Sequence, residues 1–242
     1  MKQLVKWLLE STYTVVFTGA GMSTESGLPD FRSALRGIWK NRNPIELASV
    51  QAMKHNRDAF LDFYTERIKG VKQCIPNAGH FTLAKWEGLG FVKSIITQNV
   101  DGFHHQAGSK NISELHGTLR SVHCEQCNKS FSNDRFLQFH YTCECGGAIR
   151  PSVVLFGEGL PMHALQMAEA ESAKSDLFIV LGSSLQVSPA NYFPVLAKEH
   201  GAKLVIVNLE NTELDYLADL LIQDESIGEV LSRLDMEINR SI

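Results

Sequence analysis

The chain has 242 residues, of which 44% are hydrophobic and 21% charged, and its net charge is −4 at pH 7. This length and apolar fraction suffice for a full core, in one large domain or in a domain with a smaller insertion. The acidic balance gives no electrostatic footprint for nucleic acid, and no run of about 18 apolar residues is present to span a membrane.

The first ten residues, MKQLVKWLLE, combine apolar and charged side chains. Lys6 interrupts the apolar stretch, and no small-residue cleavage site follows it. We therefore interpret the segment as an amphipathic helix rather than a signal peptide. On this basis we expect a cytoplasmic protein with no membrane or direct nucleic-acid partner.

Short apolar, β-branched runs alternate with helical patterns along most of the chain. Several runs are almost wholly apolar, as expected for parallel strands covered on both faces. The alternation predicts an α/β fold with a Rossmann-like, doubly wound parallel sheet. The expected strands are 13–17, 91–97, 152–156, 177–181, 203–207 and 220–222. The expected helices of this part are 76–89, 161–173, 189–200 and a last one that begins at 226.

A glycine loop, TGAGMSTESGLPDFR at 18–32, follows the first expected strand. Gly19 and Gly21 permit close approach of the backbone to a pyrophosphate, and Ser23 or Thr24 can begin a short helix facing that charge. A dehydrogenase would carry a third glycine where Thr24 stands, and an acidic residue on a second strand about 20 residues later. Both features are missing. The sequence thus favours a nucleotide site without hydride transfer, and a plain tight turn is the alternative.

Two regions interrupt the alternation of strands and helices. Residues 31–75 hold helical patterns near 44–55 and 57–69 but no convincing strand, and residues 119–150 carry four cysteines. We predict that these two regions form a smaller domain, helical in its first part and zinc-binding in its second. The Rossmann-like part then comprises residues 1–30, 76–118 and 151–242. A cleft between two such domains is a usual place for a ligand.

Polar side chains cluster after the strand expected at 91–97. Gln98, Asn99 and Asp101 follow its carboxyl end, and His116 comes a little later in ELHG. A histidine with a pKa of about 6.5 suits a general base near neutral pH, although turn chemistry or a satisfied core histidine is the alternative. Because no serine or cysteine stands in a nucleophile motif such as GxSxG, we expect acid–base chemistry without a covalent enzyme nucleophile.

Polar residues also follow two later strands. Ser183 and Ser184 come after FIVL, and Asn208 comes after LVIV. They are candidates to hold a ribose, with helix capping and turn formation as the alternatives. His104 and His105, in contrast, are expected on a helix surface.

Five cysteines are present, and Cys124, Cys127, Cys143 and Cys145 fall in one short stretch. An odd total without an export signal argues against a disulfide framework and for a metal site. Two short-spaced pairs suit a zinc ion held by four thiolates, which leaves no open position and makes the zinc structural. A redox pair and a nucleic-acid-binding zinc ribbon are the alternatives, and the turn between Cys143 and Cys145 is unusually tight. Cys74 is expected to be an isolated core or surface residue.

Together these segments resemble the sirtuins, NAD-dependent protein lysine deacylases, of the short bacterial type. The motifs follow one order over almost the whole chain: GAGMSTESGLPDFR, PNAGH, TQNVDGFHHQAG, ELHGTL, the four cysteines, IRPSVVLFGE, LGSSLQVSPA and VN at 207–208. The resemblance implies a Rossmann-like domain with a small helical and zinc-binding module. It also implies that NAD is consumed as a co-substrate and that one structural zinc is bound by the four cysteines.

The resemblance further implies roles for individual residues. His116 would be the general base, with Asn99 and Asp101 as further catalytic residues. The residues expected to bind NAD are Ala20, Gly21, Thr24, Phe31, Arg32, Gln98, Asn99, Val100, Asp101, Ser183, Ser184, Asn208 and Ile227. The substrate peptide would add a strand between 153–157 and 184–187. Its expected contacts are Val153, Val154, Phe156 and Gly157.

In the implied reaction the substrate itself is the nucleophile. The amide oxygen of an acyl-lysine attacks the ribose carbon as nicotinamide leaves, with oxocarbenium character as in glycosidases. His116 then deprotonates a ribose hydroxyl, which attacks the imidate carbon, and water completes the release of lysine and O-acyl-ADP-ribose. Acyl-lysine proteins or peptides are the expected partners. The alternatives are a mono-ADP-ribosyltransferase that uses the same NAD site, or a non-enzymatic NAD-sensing or zinc-ribbon module.

Tyr64 and Arg67 bear on the acyl group, because residues three apart lie on one face of a helix. Their position resembles the Tyr-x-x-Arg pair of sirtuins that remove succinyl and similar acidic groups, and arginine suits bidentate binding of a carboxylate. The alternative is an amphipathic helix with Tyr64 packed and Arg67 in solvent. LPDFR at 28–32 resembles the deacetylating branch, and Thr24 replaces an alanine frequent in the acid-preferring one. We therefore predict deacetylation as the main activity and succinyl removal as a secondary one.

Overall fold

The computed structural model describes residues 1–33 and 37–241, which form strands and helices in alternation. The strands are β1 (Thr14–Thr18), β2 (Val92–Thr97), β3 (Ile112–Glu114), β4 (Gly117–Cys124), β5 (Ser130–Ser132), β6 (Ile149–Val153), β7 (Leu177–Leu181), β8 (Lys203–Val207) and β9 (Leu220–Ile222). The helices are α1 (Lys2–Glu10), α2 (Pro44–Leu47), α3 (Val50–His55), α4 (Arg57–Gln73), α5 (Ala78–Gly88), α6 (Phe103–Ala107), α7 (Asp134–Leu137), α8 (Met162–Lys174), α9 (Tyr192–Glu199) and α10 (Ile227–Ser241). Short 3-10 helices lie at Ala20–Ser26, Ile38–Lys40 and Asp215–Leu217.

A six-stranded parallel sheet has the order β3-β2-β1-β7-β8-β9. Every residue of β1 and β7 is buried, as expected for central strands with helices on both faces. The chain changes direction across the sheet between β1 and β7, and folds of this kind bind ligands at the carboxyl ends of the strands beside that switch point. The predicted doubly wound α/β sheet is confirmed.

Side chains of the parallel sheet alternate between two hydrophobic layers. Val16 belongs to the layer that includes residues of α1, α5 and α10, while its neighbours Val15 and Phe17 belong to the layer with residues of α8 and α9. Trp86 of α5 and Phe193 of α9 are among the large side chains buried on the two sides. This alternation explains why the strands read as continuous apolar runs in the sequence.

A separate antiparallel sheet has the order β5-β4-β6. The parallel strand predicted at 152–156 is wrong, because the chain instead forms β6 at Ile149–Val153 and pairs it with β4. The strands β4 and β5 were not predicted, since GTLRSVHC has neither an apolar run nor a strict polar–apolar alternation, and SFS is only three residues long. The three-residue strand β3, at the edge of the parallel sheet, was also too short to be predicted.

The helical patterns predicted at 44–55 and 57–69 correspond to α2, α3 and α4. These helices share a third hydrophobic core with the antiparallel sheet, in which Phe60 and Ile68 of α4 are fully buried near Val122 of β4 and Phe136 of α7. Since β4 begins at Gly117 and β6 ends at Val153, the antiparallel sheet extends slightly beyond the region 119–150 on both sides. The division into two domains stays a prediction.

The first helix is amphipathic, as the sequence indicated. Leu4 and Leu8 are fully buried against the parallel sheet and α10, whereas Leu9 is 39% exposed. Within the described residues, no helix combines the length and the apolar character needed to cross a bilayer.

Replacement of the buried Leu8 by alanine tests this packing of α1. Leu8→Ala removes a fully buried side chain, so we expect the free energy of unfolding to fall by about 2–5 kcal/mol. The matched control Leu9→Ala, at a partly exposed position of the same helix, should cost only about 0.5 kcal/mol. Urea unfolding followed by circular dichroism measures both, and equal losses would contradict the burial of α1.

Candidate active site

A cavity of about 750 Å³ opens at the carboxyl ends of the parallel strands. Its volume lies within the roughly 300–1,000 Å³ of small-molecule sites. It is lined by loops after β1, β2, β7 and β8 on one side, and by α4 and the segment after β6 on the other. The predicted site residues in its wall are Ala20, Gly21, Thr24, Phe31, Arg32, Tyr64, Arg67, Gln98, Asn99, Val100, His116, Val153, Val154, Phe156, Gly157, Ser183, Ser184, Asn208 and Ile227.

A second cavity of about 390 Å³ adjoins the first and contains the remaining predicted residue, Asp101. The two cavities share wall residues such as Ala20, Phe31 and Asn99. The structure therefore brings all predicted cofactor, substrate and catalytic residues together in one connected space. The cysteines stand apart, since they are absent from both walls.

The glycines after β1 are required by contact between two loops. A Cβ atom on Gly19 would lie 2.6 Å from the carbonyl oxygen of Gly182, and one on Gly21 would lie 2.7 Å from the Cα of Gly182. The backbone N–H of Gly21 donates to that same carbonyl at 2.9 Å. The two glycines thus allow the loops after β1 and β7 to pack closely together. Gly21 also lines the cavity, whereas Gly19 does not.

Asn99 and Asp101 are held rigidly at the floor of the two cavities. The Oγ of Ser23 donates to Asp101 Oδ2 at 2.8 Å, and Asn99 Nδ2 donates to the carbonyl of Gly19 at 2.9 Å and to Ser23 Oγ at 3.2 Å. Burial raises the pKa of Asp101, while the hydrogen bonds from Phe103 N–H and Ser23 act in the opposite direction. Ser23 was predicted only as a helix-starting residue, because one serine in a loop carries no signal of its partner.

His116 is oriented by the backbone of the loop after β2. Its Nδ1 lies 3.0 Å from the carbonyl oxygen of Gln98, and since a carbonyl only accepts, Nδ1 carries the proton and Nε2 is free of it. Burial lowers the pKa of His116; the Gln98 hydrogen bond opposes this effect and the charge of Arg32 adds to it. The imidazole is therefore neutral at pH 7, which is the form required of a general base.

Aromatic rings form the wall that faces the segment after β6. Trp39 stacks on Phe31 at 5.6 Å and on Phe63 at 5.5 Å between ring centroids. The guanidinium of Arg67 lies 4.7 Å from the centroid of Phe31, and Tyr64 is buried beside it. Arg67 thus lines both cavities, contrary to the alternative that placed it in solvent. Trp39 and Phe63 were missed, because nothing in the sequence separates them from ordinary core aromatics.

The lining of the larger cavity fits a dinucleotide. Amide and hydroxyl groups of Gln98, Ser183, Ser184 and Asn208 stand at the ends of three parallel strands, where ribose hydroxyls need hydrogen-bond partners. The exposed guanidinium of Arg32 in the cavity wall supplies positive charge for phosphate. The site is therefore suited to NAD both in size and in its donor groups.

The four clustered cysteines fit a zinc ion. Their Sγ atoms all lie within 4.8 Å of one another, with 3.5 Å between Cys124 and Cys145 and 3.7 Å between Cys127 and Cys143. A tetrahedron with zinc–sulfur bonds of about 2.3 Å separates its sulfurs by about 3.8 Å. A Cβ on Gly147, two residues after Cys145, would lie 2.6 Å from Cys124 Sγ, so glycine at this position leaves room for the cluster. Four thiolate ligands at a site outside both cavities are typical of a structural zinc.

The prediction that His104 lies on a helix surface is wrong. His104 is 2% exposed, and its Nε2 lies 3.0 Å from Thr18 Oγ1 at the end of β1. The five-residue helix α6 turns its first residues, Phe103 and His104, into the core and leaves His105 half-buried near Glu114. Such a short helix has too little sequence pattern to reveal which histidine faces inward.

The residues of the cavity lie mostly within a segment that matches a known protein family. A sequence model described as the Sir2 family matches residues 19–189, which is more than half of the chain. The chain belongs to the Sir2 family. The resemblance to the sirtuins, drawn above from the motifs, is confirmed by this match.

Curated relatives cover nearly the full length. An NAD-dependent protein deacetylase of Oceanobacillus iheyensis is 55% identical over 231 residues, which are 96% of this chain and 98% of the relative. NAD-dependent protein deacetylase 1 of Geobacillus kaustophilus is 56% identical over 235 residues, 97% of each chain.

Solved Sir2 structures have the same fold. A Sir2 protein with a p53 peptide and NAD+ is 37% identical, with a TM-score of 0.91 and 99% of each chain covered. A Sir2 variant with a deacetylated p53 peptide and 3'-O-acetyl ADP-ribose is 38% identical, with a TM-score of 0.93 and 98% of each chain covered.

Substitution in the cysteine cluster tests the metal centre. We expect the purified protein to contain about one zinc ion per chain, held by four thiolates. Cys145→Ser should lower both the zinc content and the melting temperature, because a hydroxyl is a poor substitute for a thiolate ligand. Cys74→Ser, outside the cluster, is the control and should keep the metal. Elemental analysis of the three proteins decides, and a Cys145→Ser protein with a full zinc content would refute the site.

Proposed function

We propose that the protein is an NAD-dependent protein lysine deacetylase that yields lysine, nicotinamide and O-acetyl-ADP-ribose. One observation carries the proposal: neutral His116 lines a dinucleotide-sized cavity together with Asn99, and Asp101 lines the adjoining smaller cavity. The relatives with that activity, more than half identical over nearly the whole chain, support it. A mono-ADP-ribosyltransferase or a non-enzymatic module is not favoured, since no relative described above carries either description.

NAD, when bound, supplies a ribose carbon that becomes electrophilic as nicotinamide leaves. We assign Asn99 and Asp101 to the nicotinamide end, because both are fixed by hydrogen bonds at the junction of the two cavities. We assign the adenosine end to Ser183, Ser184, Asn208 and Ile227, which line the cavity near the ends of β7 and β8 and the start of α10. Ala20, Gly21, Thr24, Phe31, Arg32, Gln98 and Val100 would line the path between them.

His116 is assigned as the general base. It would accept a proton at Nε2 from a ribose hydroxyl, while Nδ1–H stays bonded to the carbonyl of Gln98 at 3.0 Å. That carbonyl holds the ring in place and stabilises the imidazolium once it has formed. The lowered pKa keeps His116 ready to accept a proton at neutral pH.

The acyl-lysine peptide is assigned to the space between the segment after β6 and the segment after β7. Val154 N–H donates to the carbonyl of His116 at 2.9 Å, and Phe156 N–H donates to that of Ala48 at 3.0 Å. The segment after β6, from Val153 to Gly157, is therefore held by hydrogen bonds to the backbone of His116 and to the turn between α2 and α3. A peptide strand added there would bring its lysine past His116.

We also propose that the cavity lies between two domains. The antiparallel sheet with α2, α3, α4 and α7 would form the small domain, since these elements share one hydrophobic core. Its limits follow the sequence prediction, 31–75 and 119–150, with β4 and β6 reaching a few residues further.

Product analysis tests the reaction and the base together. With NAD and an acetyl-lysine peptide, mass spectrometry should detect free lysine peptide, nicotinamide and O-acetyl-ADP-ribose. His116→Phe should lower kcat by about 100-fold or more, because a general base contributes about that much. Since the base acts after nicotinamide has left, exchange of labelled nicotinamide into NAD should persist in this variant. Label from NAD that stays on protein would instead indicate an ADP-ribosyltransferase.

Removal of succinyl groups is a second candidate activity, supported by Arg67. Its guanidinium lies in the wall of both cavities and faces the ring of Phe31. In residues 1–33 and 37–241 it has no ion pair or hydrogen bond with a carboxylate, although the more distant charge of Asp101 acts on it. A half-buried cation without a direct anionic partner suits the carboxylate of an acidic acyl group.

Comparison of two acyl peptides tests this activity. Arg67→Met should lower kcat/KM for a succinyl-lysine peptide by about tenfold or more, since a charge-assisted hydrogen bond contributes about 1.5–3 kcal/mol. Turnover of the acetyl peptide should change much less. Lys69→Met, at an exposed position of the same helix, is the matched control. The assignment fails if wild type does not act on the succinyl peptide, or if Arg67→Met does so equally well.

A further inference from the structure

Two buried histidines, outside the walls of both cavities, take no part in the reaction described above. His80 of α5 is fully buried, His104 of α6 is 2% exposed, and their ring centroids lie 4.9 Å apart. One nitrogen of each ring, Nε2 of His80 and Nδ1 of His104, is buried without a hydrogen-bond partner among the described residues. Unpaired buried polar atoms are costly, so their occurrence on two adjacent rings calls for an explanation.

The hydrogen bonds around His104 fix its tautomer. The hydroxyl of Thr18 donates to Thr97 Oγ1 at 2.7 Å, so its single proton is already used. Towards His104 Nε2, at 3.0 Å, the Thr18 oxygen can then only accept. Nε2 of His104 must therefore carry the proton, and its partnerless Nδ1 is a bare acceptor.

The hydrogen bonds around His80 also fix its tautomer, but here the nitrogen without a partner carries the proton. The backbone N–H of Asn77 donates to His80 Nδ1 at 3.2 Å and has no other acceptor in the described part of the chain. Asn77 Oδ1 also lies 3.0 Å from this nitrogen, but it already accepts from the N–H groups of Gly79 and His80. With Nδ1 accepting, the proton of His80 is on Nε2, which is a donor without a partner.

The two nitrogens without partners are thus a donor, Nε2–H of His80, and an acceptor, Nδ1 of His104, on neighbouring rings. We propose that Nε2–H of His80 bonds to Nδ1 of His104, directly after a small ring rotation or through one buried water, and that this neutral pair positions Asn99 through Thr18 and Thr97. His104 then acts as a positioning residue for the proposed deacetylation.

The path from the pair to Asn99 consists of buried hydrogen bonds that meet at Thr97 Oγ1. His104 Nε2–H donates to Thr18, Thr18 donates to Thr97 Oγ1, and the backbone N–H of Asn99 donates to that same oxygen at 3.0 Å. Asn99 in turn bonds through Nδ2 to Gly19. If His104 did not supply its proton, the Thr18 hydroxyl would be free to turn away from Thr97. The backbone of Asn99 would then lose a defined anchor.

Both rings are kept in the form that the pair requires. Burial lowers the pKa of His80 to about 4 and also lowers the pKa of His104 well below its ordinary value. At neutral pH each ring therefore has one protonated and one bare nitrogen. The His80 end of the path is held in place as well. Asn77, whose N–H donates to His80 Nδ1, also donates through Nδ2 to the carbonyl of Met22 in the glycine loop at 2.8 Å.

The tautomers are measured directly on the wild-type protein. Two-bond ¹H–¹⁵N correlation spectra of the histidine-labelled protein should show His80 and His104 both protonated at Nε2 only, with slowly exchanging ring protons. His105, half-buried on the same helix as His104, should exchange quickly and serves as the internal reference. A proton on Nδ1 of either buried ring, or a doubly protonated ring at pH 7, overturns the proposal. This measurement does not depend on catalytic activity.

The positioning role is measured by kinetics. His104→Phe keeps the ring shape but removes the donor, and kcat with the acetyl peptide should fall about tenfold while KM for the peptide changes by less than about twofold. The control His105→Phe should leave kcat unchanged. His104→Gln, whose amide N–H can reach Thr18, should recover most of the loss. A His104→Phe protein with normal melting temperature and normal kcat overturns the role.

A double-mutant cycle covers the case in which His104→Phe does not fold. Thr97→Val removes the oxygen that accepts from both Thr18 and Asn99. The fold-decrease in kcat of the double variant Thr18→Val/Thr97→Val should be smaller than the product of the two single decreases, because both residues act through one path. Losses that multiply fully overturn the path. If the wild-type protein has no deacetylase activity at all, the proposed function fails, and the spectra still decide on the histidine pair.

Discussion

The site depends on one backbone contact, at which the loops after β1 and β7 meet. Gly21 N–H donates to the carbonyl of Gly182, and Gly19 N–H donates to that of Leu181 at 3.0 Å. Any side chain at these glycines would force the loops apart. Since the carbonyl of Gly19 also receives the amide of Asn99, the same contact aligns the ends of three strands around one cavity.

The sequence predicted the part of the fold that is encoded locally. Central parallel strands are buried on both faces, and FIVL and LVIV therefore stand out as apolar runs. The residues of the cavity follow directly after such runs, as Gln98 and Asn208 do, so a strand assignment also located the site. The zinc site was also predictable from the two cysteine pairs, because binding of a metal ion requires ligands at short, regular spacings in the sequence.

The features that were missed are determined by contacts between distant segments. The antiparallel sheet pairs residues of β4 with β6 across the cysteine turn, and its half-polar strands have no periodic signature. The burial of His104 depends on its contact with Thr18, which lies 86 positions earlier. Likewise Trp39 lies in the cavity wall stacked on Phe31 and Phe63, which come from other segments of the chain. Tertiary packing decides these cases, and no local pattern records it.

One helix, α4, separates two tasks of the molecule. Tyr64 and Arg67 on α4 face the space assigned to the acyl group, whereas the floor beneath NAD is built from the loops after β1 and β2. The two sets of residues lie on different stretches of chain. On the proposed assignment, substitutions on α4 would change which acyl groups are accepted more than they change the binding of NAD. The choice of acyl group and the use of the co-substrate would then be encoded by separate segments of the chain.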